Sequence, residues 1–320
     1  MELETKQQIT EALNGWLDEK NQQRSAGALR DKTGVNTAYI SQIKNGNYEI
    51  QSGGGRLTAI NESHFFKIAE GIGLKLDSEF KWDFLNSYKM GYRILRKAHR
   101  KQLRTMIDGD TGQGKTFVQK WYRRENDYSL LIECTRNMTG KAMINTICAK
   151  LGIELPNRVT PFEKLELIKK VLTQKRGYLI IIDQAGKAEV KPSIYSVVMD
   201  IAVAVEGKAA MVITGYKITE MLNSYYDKHI PGFRQLARRF KSNAYELPEL
   251  TASEVEKVCD HEGITNKGAK NVLMKYVKDL DMLALKVREC LDFQEKEGRK
   301  ITGEEVMELL NIEILNLKAA

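Results

Sequence analysis

The stretch Gly109-Asp110-Thr111-Gly112-Gln113-Gly114-Lys115-Thr116 decides how this chain is read. It fits G-x-x-x-x-G-K-[ST], the Walker A phosphate loop. Arg104 to Asp108, just before it, has the composition of a short strand, and Phe117 to Arg124, just after it, that of a helix. This strand–loop–helix setting is what separates a phosphate loop from a chance match in a glycine-containing turn. The glycines let backbone N–H groups turn inward around an anion, and the helix N-terminus adds the positive end of its dipole. Lys115 would reach the β- and γ-phosphates and Thr116 would hold Mg2+. The pattern therefore predicts a site for a nucleoside triphosphate, ATP with Mg2+.

Downstream of the loop, apolar strands and amphipathic helices alternate. Tyr128 to Glu133, Tyr178 to Ile182 and Ala209 to Ile213 read as strands. Thr139 to Leu151, Phe162 to Gln174 and Ile194 to Val205 read as helices. The continuous apolar run 178–182 is typical of a strand buried on both faces. Alternation of this kind implies βαβ units, hence an α/β core with a parallel sheet and helices on both faces. From about Asn243 the pattern is helical only: 252–260, 266–278, 281–295 and 303–310. The expected organisation is a helix-turn-helix domain over 1–75, a basic linker over 76–103, an ATPase core over 104–243 and a helical lid over 244–320.

Asp183 ends the buried run and takes the Walker B position, where its carboxylate would sit near Mg2+. The bland alternative is a surface aspartate in a strand-end turn. Gln184 follows, where many ATPases of this build carry a Glu that polarises the attacking water. Gln is nearly isosteric but accepts no proton, so it permits binding and slows hydrolysis. Either the chain lacks this base by nature or it carries an introduced change. Thr214, at the tip of strand 209–213, is placed to sense the γ-phosphate, or else serves as a turn hydroxyl. Arg234, Arg238 and Arg239 lie on one expected helix, with Arg234 and Arg238 sharing a face. An arginine offered to a neighbouring subunit's γ-phosphate would tie hydrolysis to assembly. The alternative is a solvated basic face or a DNA contact.

The bulk numbers agree with a nucleic-acid partner. The chain has 320 residues, net charge +8, 29% charged and 42% hydrophobic residues. That length suggests about two domains, and the basic balance favours an anionic partner. Cys134, Cys148, Cys259 and Cys290 are scattered, with no C-x-x-C pair. They read as reduced thiols rather than a zinc site or disulfide framework. No apolar run reaches membrane-helix length and the N-terminus is polar without a signal-peptide core, so a cytoplasmic, DNA-associated location is expected.

Residues 24–46 have a helix-turn-helix rhythm: a helix from Arg24 to Lys32, a turn Thr33-Gly34-Val35-Asn36, and a second helix from Thr37 to Lys44. Thr37, Tyr39, Gln42 and Lys44 would face a DNA groove. The alternative is a helical bundle used for protein contacts. Arg93, Arg96, Lys97 and Arg100 form a basic stripe without an acidic neighbour, suited to salt-sensitive phosphate contacts. A solvated linker helix is the competing reading. Lys141, Lys187 and Lys191 fall near strand tips and could line a DNA path, although each taken singly is a surface lysine.

Together, Lys32 to Ser41, Gly109 to Thr116, Cys134 to Thr139, Asp183 to Gly186 and Leu236 to Phe240 give a chain that resembles the AAA+ transposition ATPases of the phage Mu B protein and TnsC type. The phosphate loop alone is not specific to that family; its combination with a preceding helix-turn-helix is more so. The resemblance implies an ATPase that assembles as a helical filament on duplex DNA with little sequence preference and recruits or activates a transposase. Carried over, Lys115, Thr116 and Asp183 bind MgATP, Thr214 is the sensor, and Arg238 or Arg239 is the trans-acting finger. Gln184 departs from the pattern, as does the lid, where only Lys286 and Arg288 stand near the place of a sensor arginine. Two other readings remain: a helicase-loader-like DNA-remodelling ATPase, and a helix-turn-helix transcription regulator switched by ATP.

Overall fold

The computed structural model describes residues 3–18, 24–52, 56–74, 80–155, 158–174, 177–186, 192–229, 233–240 and 244–311. The N-terminal region holds α1 (Leu3–Asp18), α2 (Ala26–Thr33), α3 (Thr37–Lys44), a hairpin of β1 (Glu49–Ser52) and β2 (Arg56–Ala59), and α4 (Glu62–Ile72). The turn between α2 and α3 forms for local reasons. Gly34 takes the left-handed conformation at φ 72°, and Asn36 caps α3 by accepting from the Ala38 amide. Ile9, Leu13, Leu29, Val35, Ile40, Ile43, Phe65 and Ile68 close a separate small core. The antiparallel pairing of β1 with β2 is an addition to the expected helices.

Next comes α5 (Asn86–Lys101), which precedes the sheet. It was expected as part of a linker, and here the structure differs. Its basic residues face solvent while Tyr88, Gly91, Ile94, Leu95 and Ala98 are buried against the sheet. Gly91 sits on Val118: a Cβ there would come within 2.9 Å of the Val118 Cγ1. Burial of this seam makes α5 the first helix of the core.

The core itself runs β3 (Arg104–Asp108), α6 (Lys115–Glu125), β4 (Ser129–Glu133), α7 (Gly140–Lys150), α8 (Pro161–Gln174), β5 (Tyr178–Asp183), α9 (Pro192–Ala204), β6 (Ala209–Thr214), α10 (Ile218–Asp227), α11 (Phe233–Phe240) and β7 (Ala244–Glu246). Its five strands are ordered β4-β5-β6-β3-β7, and every pairing is parallel. Alternate residues of each strand serve opposite layers. Leu179, Ile181 and Val212 pack with α5 and α6, whereas Ile180, Ile182, Met211 and Ile213 pack with the α7–α9 side. Each such buried side chain contributes roughly 1.5–3 kcal/mol of transfer free energy. The chain leaves β3 over one face and β6 over the other, so the crevice at their carboxyl ends is a topological switch point, the usual ligand position in open α/β sheets.

Four helices follow: α12 (Ala252–His261), α13 (Lys267–Tyr276), α14 (Leu280–Glu297) and α15 (Gly303–Leu309). Thr251 and Thr302 start α12 and α15 with capping boxes to Glu254 and Glu305. Val258, Leu273, Leu283 and Val287 join this lid to the core cluster beneath α5. None of the described helices is long and apolar enough to cross a membrane.

Candidate functional site

The phosphate loop joins β3 to α6, and three of its glycines have backbones that a side chain disfavours. Gly109, Gly112 and Gly114 lie at φ 151°, 77° and 81°. Gly114 is the N-cap of α6 and supplies no side-chain cap. The first-turn N–H groups therefore lack an internal partner and point toward an anion position. The Lys115 ammonium bridges the loop, donating to the carbonyls of Gly109 at 2.7 Å and Asp110 at 2.6 Å. Burial lowers its pKa, against the opposing pull of Asp183, Asp108, Asp110 and Asp281. Asp110 orders the loop by accepting from the Thr111 amide at 2.7 Å. The Gln113 side chain folds inward over Gly109, and its amide oxygen is buried without a partner.

Asp183 is the hub. It is 1% exposed, and both carboxylate oxygens act as acceptors. Oδ2 takes the Thr116 hydroxyl at 2.6 Å; Oδ1 takes the Thr214 hydroxyl at 2.5 Å, the Gln119 amide at 3.2 Å and the Gln184 backbone N–H at 2.8 Å. Thr116 and Asp183 thus meet at one point beside the loop. A hydroxyl and a carboxylate are the hard oxygen donors that Mg2+ takes together with phosphate oxygens. A glycine cradle with free amides, a lysine and this oxygen pair fit MgATP. When bound, the metal would neutralise charge on the phosphates.

Thr214 is fully buried, and its one hydroxyl proton goes to Asp183 while its oxygen accepts the Gln119 amide at 2.8 Å. In this arrangement it braces Asp183. Gln119, on the inward face of α6, is a site residue that the sequence reading missed; its signal was a polar residue amid the apolar seam Val118, Tyr122. Gln184 sits at φ 58°, left-handed backbone uncommon for a side-chain-bearing residue. Its loop is pinned: the Ala185 N–H donates to the Thr214 carbonyl at 2.9 Å, the buried Tyr195 hydroxyl donates to the Ala185 carbonyl, and Gly186 lies directly on Gly215 and Tyr216.

The lid reaches the loop with its acidic end. The Leu280 N–H donates to the Gly112 carbonyl at 2.8 Å, and a Cβ on Gly112 would lie 2.5 Å from that of Asp279. Lys286 is turned away, donating to Glu289 and the Leu309 carbonyl, and Arg288 lies over the Phe80 ring. Neither takes a sensor position at the phosphate loop. Of the two finger candidates, Arg239 pairs with Glu206 at 3.0 Å, and Glu206 also holds Arg104 at 2.7 Å. These groups cluster at the amino ends of β3 and β6, opposite the phosphate loop. Arg239 is thus held within this chain by Glu206, whereas Arg238, on the same helix, is exposed.

The expected DNA contacts divide. Tyr39 is half-buried and stacks on His64 of α4 with ring centroids 4.4 Å apart. Thr37 is half-buried, Gln42 accepts from the Asn47 side chain at 3.0 Å, and Lys44 is exposed with Ala38 and Ser41. Arg93, Arg96, Lys97 and Arg100 are all exposed along α5, with the Lys97 ammonium 3.2 Å from the Tyr245 hydroxyl. Lys141 is exposed in the first turn of α7. Lys187 and Lys191 lie outside the described residues, as does the Arg234 side chain.

Residues 98–201 match a family model described as an AAA domain. The core has the AAA+ P-loop fold. Solved structures share it at low identity. The Aeropyrum pernix ORC1 protein in complex with DNA matches at 14% identity and a TM-score of 0.51, over 72% of this chain and 65% of that one. Cdc6p from Pyrobaculum aerophilum matches at 15% and 0.54, over 71% and 66%. The Aeropyrum pernix ORC2 protein in ADPNP–ADP complexes matches at 10% and 0.55, over 76% and 71%. This chain thus spans just under two thirds of the length of the first two. No curated protein matches it.

Proposed function

We propose that this protein is an ATP-dependent, DNA-binding ATPase that polymerises on target duplex DNA and recruits or activates a transposase. The observation that carries the nucleotide half is the Thr116–Asp183 pair at 2.6 Å beside a glycine cradle. The DNA half rests on the helix-turn-helix and on the exposed arginines of α5, which suit phosphate contacts without sequence readout. The transposition assignment rests on the family resemblance of the motif set. Arg238, exposed on α11, is the finger this reading assigns to the neighbouring subunit's nucleotide. Gln184 in place of a general base predicts slow turnover and long-lived assemblies.

A second reading, an initiator- or loader-type DNA-remodelling ATPase, draws on the fold shared with archaeal ORC and Cdc6 proteins, one of them solved with DNA. Electron microscopy on two unrelated duplexes in ATP and in ADP separates the two. Filaments on both duplexes in ATP alone support the transposition reading. Discrete complexes without filaments overturn it in favour of the remodeller, and binding confined to one sequence overturns it in favour of the ATP-switched regulator.

A further inference from the structure

We propose that Gln119 is a positioning residue for the metal-facing carboxylate: its amide holds Asp183 and Thr214 so that Asp183 Oδ2 stays turned toward Thr116. This rests on the MgATP reading of the site. Gln119 is 0% exposed and sits one helical turn beyond Lys115 on α6. Its amide nitrogen donates to Asp183 Oδ1 at 3.2 Å and to Thr214 Oγ1 at 2.8 Å. Both amide protons are thereby used. The opposite amide orientation would set an oxygen against a carboxylate, so the geometry allows only this one.

Proton accounting explains why the amide matters. Thr214 gives its only hydroxyl proton to Asp183. A threonine alone could rotate that proton away; with the Gln119 N–H pointed at its oxygen, the proton is directed to Oδ1. The carboxylate is then fixed by three donors on Oδ1 and is left with Oδ2 for Thr116 and the metal side. The remaining end of Gln119 gains nothing, because its Oε1 is buried with no partner. A methionine would fill the same volume without orphaning an oxygen, so packing does not call for an amide here. Outer-shell partners of this kind orient the groups that touch a metal.

The test compares wild type, Gln119→Met and Gln119→Glu. Gln119→Met removes both donors at similar volume; Gln119→Glu keeps the shape but sets a carboxylate against Asp183. Binding of a fluorescent ATP analogue is titrated with Mg2+ and with EDTA, beside thermal unfolding of the protein alone. The expected result is an unchanged affinity in EDTA and an Mg2+-dependent gain that shrinks by about 10–100-fold in both variants. Equal loss with and without Mg2+ would mean a merely structural role and overturn the proposal, as would failure of both variants to fold. A wild-type Mg2+ gain retained in both variants overturns the proposal alone. A wild type that binds no nucleotide overturns the functional reading with it.

Discussion

Gln184 concentrates the chemistry of this site in one side chain. It follows Asp183 in left-handed backbone, and its loop is held by Ala185, Gly186 and Tyr195. With Gln184 at the position read as that of the general base, the proposed function predicts that the protein binds ATP well and turns it over slowly. Replacing Gln184 with Glu keeps the size and adds the missing base. We expect kcat for ATP to rise by about 10²–10⁴-fold, the usual worth of general base catalysis, with little change in ATP affinity; an unchanged kcat in a steady-state ATPase assay would contradict this assignment. At this scale the turn of the phosphate loop and the burial of Asp183 were legible from sequence, because the glycine spacing and the apolar run 178–182 are local signals. The Arg239–Glu206 pair was not, since it joins residues 33 apart through the fold. The commitment of the Thr214 proton was equally hidden, because it depends on Gln119 arriving from another element.

Among the elements, α5 shows how charge can mask packing. Its arginines and lysines suggested a linker, yet Tyr88, Gly91, Ile94, Leu95 and Ala98 recur at helical spacing and are buried. Leu95 is 0% exposed, so Leu95→Ala should destabilise the core by roughly 2–5 kcal/mol in denaturant unfolding; a loss under about 0.5 kcal/mol, typical of surface changes, would return α5 to the status of linker. The short strands were illegible for a different reason. Ala244-Tyr245-Glu246 has neither length nor apolar alternation, and becomes a strand only by pairing with β3. The same holds for the four-residue strands β1 and β2.

The N-terminal domain meets the core through α4 on α6. Glu62 pairs with Arg123 at 2.9 Å, the Ser63 hydroxyl donates to Asp127, and Arg124 lies 4.0 Å from the Phe66 ring centre. His64 sits beside this seam, stacked on Tyr39, with its Nδ1 buried and unpartnered. Burial holds its pKa below 6.5, assisted by Lys67 and opposed by Asp127. A depressed pKa means that the unfolded domain takes the proton more readily. Its stabilising contribution is therefore complete above about pH 6.5 and lost as pH falls through the folded value. The melting temperature should fall between pH 7 and pH 5, and His64→Gln should flatten that fall. Parallel profiles for the two proteins would show that His64 does not contribute.

For the whole molecule, α6 joins the N-terminal helices to the AAA-type core: it carries Lys115 and Thr116, contacts α5 and β4, and receives α4. Strand alternation made the core legible, since a parallel sheet buried on both faces imposes continuous apolar runs. What assembles on what was not legible, because surfaces carry no such periodicity. Under the proposed function, nucleotide held at Lys115 and Asp183 controls DNA binding. Fluorescence anisotropy with a labelled duplex of arbitrary sequence tests it most directly, comparing wild type and Lys115→Ala in ATP, in ADP and without nucleotide. The account predicts tight binding by wild type in ATP only, weakening steeply with salt, and weak binding by Lys115→Ala in every state. Equal affinity in all three states, or a Lys115→Ala protein that binds like wild type, would contradict it.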